Sequence, residues 1–359
     1  MSKSPTPGPR AFSPSPAPLT RRRFLQAGSA SAAALATVPV TLSARSVAVG
    51  PRTAETVVAE LYQSLSDRQR SAICFDWDHQ DKKNGLLRAH ISNNWRITSQ
   101  AITSDFYDKS QRAMIRKIFE GMVNPDWVER FDKQFKDDMG GFGKKQGIAI
   151  FGRPGGEKFE FVLTGRHGTM RCDGNTAEHV VFGGPIMYGH AARGYYEKAN
   201  HPQNVFWHQA QAANRVYQML DGKQQKQALH KAAPDEGRIG FRGTAKGFDG
   251  IAVTDLGADQ KAHVQKVLQL LIEPYRKSDR DEAVAALKTQ GGLDACHLAF
   301  YQEDDLGGDG VWDNWRLEGP AFVWHYRGAP HVHVWVNVAD DPSVKLNSKN
   351  RSGPLRRKA

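Results

Sequence analysis

Cysteine is scarce and odd in number: Cys74, Cys172 and Cys296 are the only three in 359 residues, widely spaced and in no CxxC pattern. That argues against a disulfide framework or a zinc ribbon and leaves three small buried hydrophobes, with a single bridge as the alternative. Long apolar runs are missing too. The apolar stretch 27–41 is too short and too polar for a transmembrane helix, and no later segment approaches a spanning length. No GxSxG, SxxK or HExxH occurs, which disfavours the hydrolase classes built on those signatures. Acidic residues are absent from both ends of the chain. Six Lys and Arg lie in 1–48 and six more in 343–359, and setting those twelve against the net charge of +11 leaves 49–342 at about −1. A basic face for nucleic acid is therefore not expected, and the 343–359 stretch reads as a solvated basic tail.

What is present begins with Thr20-Arg21-Arg22-Arg23-Phe24-Leu25, which precedes that weakly apolar Ala/Ser/Thr stretch and reads as a twin-arginine export signal. Ser46-Val47-Ala48 offers a small-residue cleavage site, so 1–48 is expected to be removed and the mature protein to be periplasmic or secreted. The twin-arginine translocation machinery is the expected partner, with no stable membrane insertion after cleavage. That route carries folded proteins, which suits a chain that must load a cofactor first; fast folding is the competing explanation.

An internal duplication is legible. Leu61-Tyr62-Gln63-Ser64-Leu65 is echoed by Val216-Tyr217-Gln218-Met219-Leu220, and Asp108-Lys109-Ser110-Gln111 by Ala258-Asp259-Gln260. Leu163-Thr164-Gly165 matches Leu317-Glu318-Gly319, Gly174 matches Gly328 and His179 matches His333, all at a spacing of 154. Apolar periodicity predicts helices over 53–65, 105–122 and 126–139, then strands over 147–151, 158–163, 167–172 and 178–182. In the second half it predicts helices near 205–220, 223–231, 258–275 and 281–289, then strands near 295–301, 311–317, 321–326 and 331–336. The expected fold class is α+β: two pseudo-repeated halves, 49–190 and 203–342, each with helices followed by an antiparallel β unit.

Phe151-Gly152-Arg153-Pro154-Gly155, Gly165-Arg166-His167, Trp315-Arg316-Leu317-Glu318-Gly319-Pro320 and His331-Val332-His333-Val334-Trp335 resemble the marks of a bacterial group known as domain of unknown function 3500. The resemblance covers most of the chain after the leader. It implies a Gly-His-His where this chain reads Gly165-Arg166-His167, and it implies no reaction.

The chemistry rests on histidines. His331 and His333, at i and i+2 on an expected strand, point to one face, so both imidazoles can reach one metal ion. The third ligand of a site with an open position is His167 or His190. The competing reading makes these histidines hydrogen-bonded wall residues. The position of His325 depends on the turn: two residues at Arg327-Gly328 put it on the far face, three bring it to His331 and His333. Glu303-Asp304-Asp305-Leu306-Gly307-Gly308-Asp309-Gly310 lacks calcium-loop spacing and reads as a hairpin connection. Gly140-Gly141-Phe142-Gly143-Lys144-Lys145 reads as a helix cap, and Trp312, Trp315, Trp324 and Trp335 read as core.

Two functions follow. One is an exported enzyme with one divalent transition metal (zinc, copper or iron) on His167, His331 and His333, activating water or handling oxygen, with Arg166 stabilising an anionic substrate or intermediate. The other is a non-catalytic periplasmic protein that clasps a small ligand between its halves.

Overall fold

The computed structural model describes residues 53–194, 201–236, 239–243 and 247–344, which fall within one compact unit, Pro51–Ala359. The expected export signal and most of the basic tail lie outside the described residues. Helices α1 (Ala54–Ser64), α2 (Asp67–Ile73), α3 (Lys109–Met122) and α4 (Val128–Met139) precede strands β4 (Gly147–Gly152), β5 (Phe159–Gly165), β6 (Gly168–Cys172) and β7 (Ile186–His190). Three two-residue strands, β1 (Cys74–Phe75), β2 (Gln80–Asp81) and β3 (Gly85–Leu86), lie between α2 and α3. The same order follows: α5 (Trp207–Met219), α6 (Gly222–Ala228), the short strands β8 (Leu229–His230) and β9 (Ile251–Ala252), α7 (Ala258–Ile272), α8 (Lys277–Thr289), then β10 (His297–Tyr301), β11 (Asn314–Gly319), β12 (Phe322–Arg327) and β13 (Val332–Val338).

Local chemistry sets the helix starts. Ser66 with Gln69 caps α2 and Asp108 with Gln111 caps α3, each pair a reciprocal box that satisfies orphan backbone donors. The Gln69 amide also reaches Gln111 Oε1 at 2.8 Å, tying the two helix starts together. Asp221 with Gln224 repeats the box at α6, and Gln224 meets the Gln260 amide of α7 at 2.9 Å. At the other end, α4 stops on Gly140, whose φ of 80° lets its N–H close on Lys136 and Phe135 carbonyls.

One sheet runs through both stretches, in the order β1-β4-β5-β6-β7-β13-β12-β11-β10-β8, with β9 also on β10. It is mixed rather than antiparallel throughout: β1 runs parallel to β4 and β8 parallel to β10. Those parallel pairs join residues more than sixty positions apart, which hairpin signals do not report. The fourth strand of the first stretch is β7 and not 178–182; His179 instead lies in the β6–β7 connection, exposed and paired with Asp340 at 2.9 Å. His179 is therefore no counterpart of His333, which sits within β13.

Alternation divides the sheet. Residues such as Ile148, Phe161, Tyr188, Trp324 and Val334 face the helices in one apolar core. The opposite residues, among them Glu160, Arg171, Arg316, Glu318, His325, His333 and Asn337, are polar and also buried. Loops cover them. Trp95 reaches Thr169 Oγ1 at 3.1 Å, and Asn337 donates to the Ile239 carbonyl at 2.9 Å. Trp315, Trp324 and Trp335 are core, and the three cysteines are free thiols.

Candidate metal centre

Strand directions bring the three histidines together. Tyr188 of β7 pairs with Gly168 of β6 on one side and Val334 of β13 on the other, so β6 and β13 enter the sheet from the same end. His167 ends the tight β5–β6 turn one residue before Gly168, and His333 lies one residue before Val334. His331 belongs to the β12–β13 connection, just before the strand, after a cis Ala329–Pro330 bond. Between them Gly189 pairs with His333, and a Cβ there would stand 2.2 Å from the Val332 carbonyl oxygen. Glycine is thus required where the ligand-bearing strand passes.

The three Nε2 atoms form a nearly equilateral triangle, with 3.1 Å from His331 to His167, 3.0 Å from His331 to His333 and 3.0 Å from His333 to His167. All three side chains are buried. Among the described residues they form the one group of three or more His, Cys, Asp or Glu with metal-binding spacing.

Carboxylates hold two rings from behind. His167 Nδ1 lies 3.0 Å from Asp138 Oδ2, and His333 Nδ1 lies 3.3 Å from Glu236 Oε2. Such carboxylate neighbours favour the proton on Nδ1 of each ring, which leaves the Nε2 lone pairs of His167 and His333 on the side where the three rings meet. Burial lowers the pKa of His167 against the pull of Asp138, and burial with Arg327 lowers that of His333 further. Both rings are neutral at pH 7. Burial raises the Asp138 pKa, yet the His167 hydrogen bond and charge outweigh it and leave that carboxyl below its usual range. Gln134 at 2.8 Å and the Ala191 N–H at 3.1 Å fix the Asp138 oxygens, while Arg327 Nε holds Glu236 Oε1 at 2.9 Å.

Arg166, beside His167 in the turn, keeps 29% of its side chain exposed, with Nε 4.0 Å from Asp138 Oδ1. His190 does not join the group. Its Nε2 bonds Asp137 at 2.9 Å and its Nδ1 accepts from the Val205 N–H at 3.1 Å, on the helix side of the sheet. The connection from Gly328 to His331 is long enough to put His325 on the same face as His333, but His325 pairs across to Arg316 at 3.3 Å, and burial first, then Arg316, pushes its pKa down to about 3. A surface cavity of about 900 Å³ lined by Ser64, Gln69, Asp105, Gln111 and Arg112 includes none of the three histidines.

The comparisons with known proteins fit this picture without naming a reaction. A family model described as "protein of unknown function (DUF3500)" matches residues 50–338. The chain belongs to the DUF3500 family. No curated protein and no solved structure matches it. The histidine group of this DUF3500 chain, with the turn and strand that carry it, lies inside the matched span. Asp138 and Glu236 were not singled out by sequence. Asp138 carried one signal: a carboxylate in the last turn of a helix opposes the helix dipole and needs a reason to be there.

Proposed function

We propose that this protein is an exported metal-dependent enzyme whose single divalent transition metal (zinc, copper or iron) is bound by His167, His331 and His333. The observation that carries the reading is the triangle itself. Three imidazole Nε2 atoms converge about 3 Å apart, two of them, on His167 and His333, belonging to rings that burial keeps neutral. With Nδ1 of His167 and of His333 facing carboxylates, the Nε2 lone pairs of those two rings are left to accept, and a cation among the three nitrogens satisfies them together. The ion-facing nitrogens of His167 and His333 have the basicity that a carboxylate behind the ring supplies. The metal would polarise a bound water or substrate, or handle oxygen, and Arg166 would meet negative charge developing on the substrate. Its export, recognised by the twin-arginine machinery through Arg21 and Arg22, follows folding and metal loading in the cytoplasm.

The two-half reading belongs here as well. The repeated capping pairs Gln69–Gln111 and Gln224–Gln260, and the matching helix-then-strand order on either side of the β7–β13 pairing, support a duplication in which one metal centre is retained.

The test is elemental analysis of purified protein, followed by titration with Zn(II), Cu(II) and Fe(II). Stoichiometric uptake by the wild type, lost in His167→Ala, is the expected result; no uptake of any of the three by folded wild-type protein would overturn the proposal. Replacing Arg21 and Arg22 with Lys tests export separately, and unchanged translocation would remove that part.

A further inference from the structure

We infer that the three histidines occupy one triangular face of an octahedron, leaving three adjacent positions that accept a small chelating anion with Arg166 as its counter-charge. This rests on the metal reading above and deepens it. Nitrogens bound at about 2.1 Å with right angles between them stand about 3.0 Å apart, whereas tetrahedral zinc at similar bond lengths spreads them to about 3.4 Å. The observed edges are 3.1, 3.0 and 3.0 Å. Of the three candidate metals, iron(II) takes such a face most readily.

The other half of the coordination sphere is open among the described residues. No fourth His, Cys, Asp or Glu among the described residues joins the group. Asp138 and Glu236 contact Nδ1 atoms, on the outer side of the rings, and so do not fill the remaining positions. The charges point the same way. A divalent ion, Arg166 and Arg327 are set against Asp138 and Glu236, and among these groups the surplus is about two positive charges. Arg327 is engaged by Glu236 at 2.9 Å. Arg166 is the guanidinium with capacity to spare, its Nε 4.0 Å from the carboxylate of Asp138 and its side chain 29% exposed. A guanidinium whose charge reaches both His167 and His333 suits a carboxylate-bearing chelator on the ion better than a neutral sugar or an amine.

Cobalt(II) reports both halves of the inference. Loaded into the full-length protein, it should give the weak visible absorption of a six-coordinate ion, and oxalate should perturb that spectrum at a concentration about tenfold or more below acetate. Cobalt retention after desalting establishes that oxalate binds rather than strips the ion. Arg166→Met should weaken oxalate binding about tenfold or more with cobalt stoichiometry unchanged. An intense four-coordinate spectrum, oxalate no tighter than acetate, or an oxalate affinity indifferent to Arg166→Met would overturn the inference while the metal reading stood. Failure of folded protein to take up cobalt, zinc, copper or iron would overturn both.

Discussion

Two polar clusters lie buried on the same loop-covered face of the sheet, and they are built on opposite principles. Around Glu160 and Arg171 every strong donor finds an acceptor. Arg171 reaches Glu160 Oε1 at 2.6 Å, the Pro185 carbonyl at 2.6 Å, the His90 carbonyl at 2.9 Å and the Arg88 carbonyl as well. Opposite charges cancel, and the guanidinium stitches the 88–90 segment and the start of β7 to the sheet. Around His167, His331 and His333 three Nε2 atoms converge within 3.1 Å of one another. The first cluster sets a buried guanidinium against a buried carboxyl and three carbonyls of the same chain; the second gathers three imidazole nitrogens that could hold a metal ion. Pairing of donor with acceptor, more than burial or residue type, separates a structural polar network from a candidate site.

Substitution should separate them in the same way. The largest expected effect is on bound metal: His333→Ala should reduce uptake from stoichiometric to none by elemental analysis, while the metal-free protein keeps its denaturant midpoint or gains up to about 1 kcal/mol as the facing lone pairs are relieved. A large loss of metal-free stability would place His333 with Arg171 as a structural residue. Glu160→Leu should do the reverse, costing about 3–5 kcal/mol in urea unfolding because Arg171 is left as an unpaired buried charge, with metal stoichiometry retained by the folded fraction. The His90 pKa is depressed to about 4, by burial first and then by Arg171. At His90 the native state then binds fewer protons than the unfolded chain between about pH 4 and 6.5, so this residue's contribution to stability rises with pH across that window by up to about 3 kcal/mol, against the opposite slope of Glu160, whose pKa burial raises to about 7. His90→Gln should flatten that slope, and an unchanged pH profile would show that His90 is not the group responsible. The smallest effect is expected behind the metal: Asp138→Asn should weaken metal binding about 10–100-fold with the fold intact. No change in affinity would mean that the carboxylate does not tune His167.

Much of this was legible in the chain. Helices announced by period and caps fall close to expectation: 53–65 is observed as Ala54–Ser64 and 126–139 as Val128–Met139. The histidines His331 and His333 were readable because alternation alone puts i and i+2 on one face, and the structure brings them to His167. Strand β7 was not readable. Gly183, Gly184 and Pro185 look like a breaker, and Gly189, which the passing strand requires, looks like a linker. The two-residue strands carry no periodicity to detect. Asp138 and Glu236 approach from a helix end and a loop respectively, and their distances of 3.0 and 3.3 Å to the rings depend on tertiary packing that no local pattern encodes.

His167 is held at φ 52°, a left-handed backbone that costs a histidine about 1–2 kcal/mol and that glycine or asparagine enters far more readily. At this one position the turn's preference and the ligand's chemistry oppose each other. Selection on turn stability alone would favour glycine or asparagine at this position. Under the proposed metal reading, position 167 therefore becomes a record of use: histidine where a centre is kept, and glycine or asparagine where it has been given up.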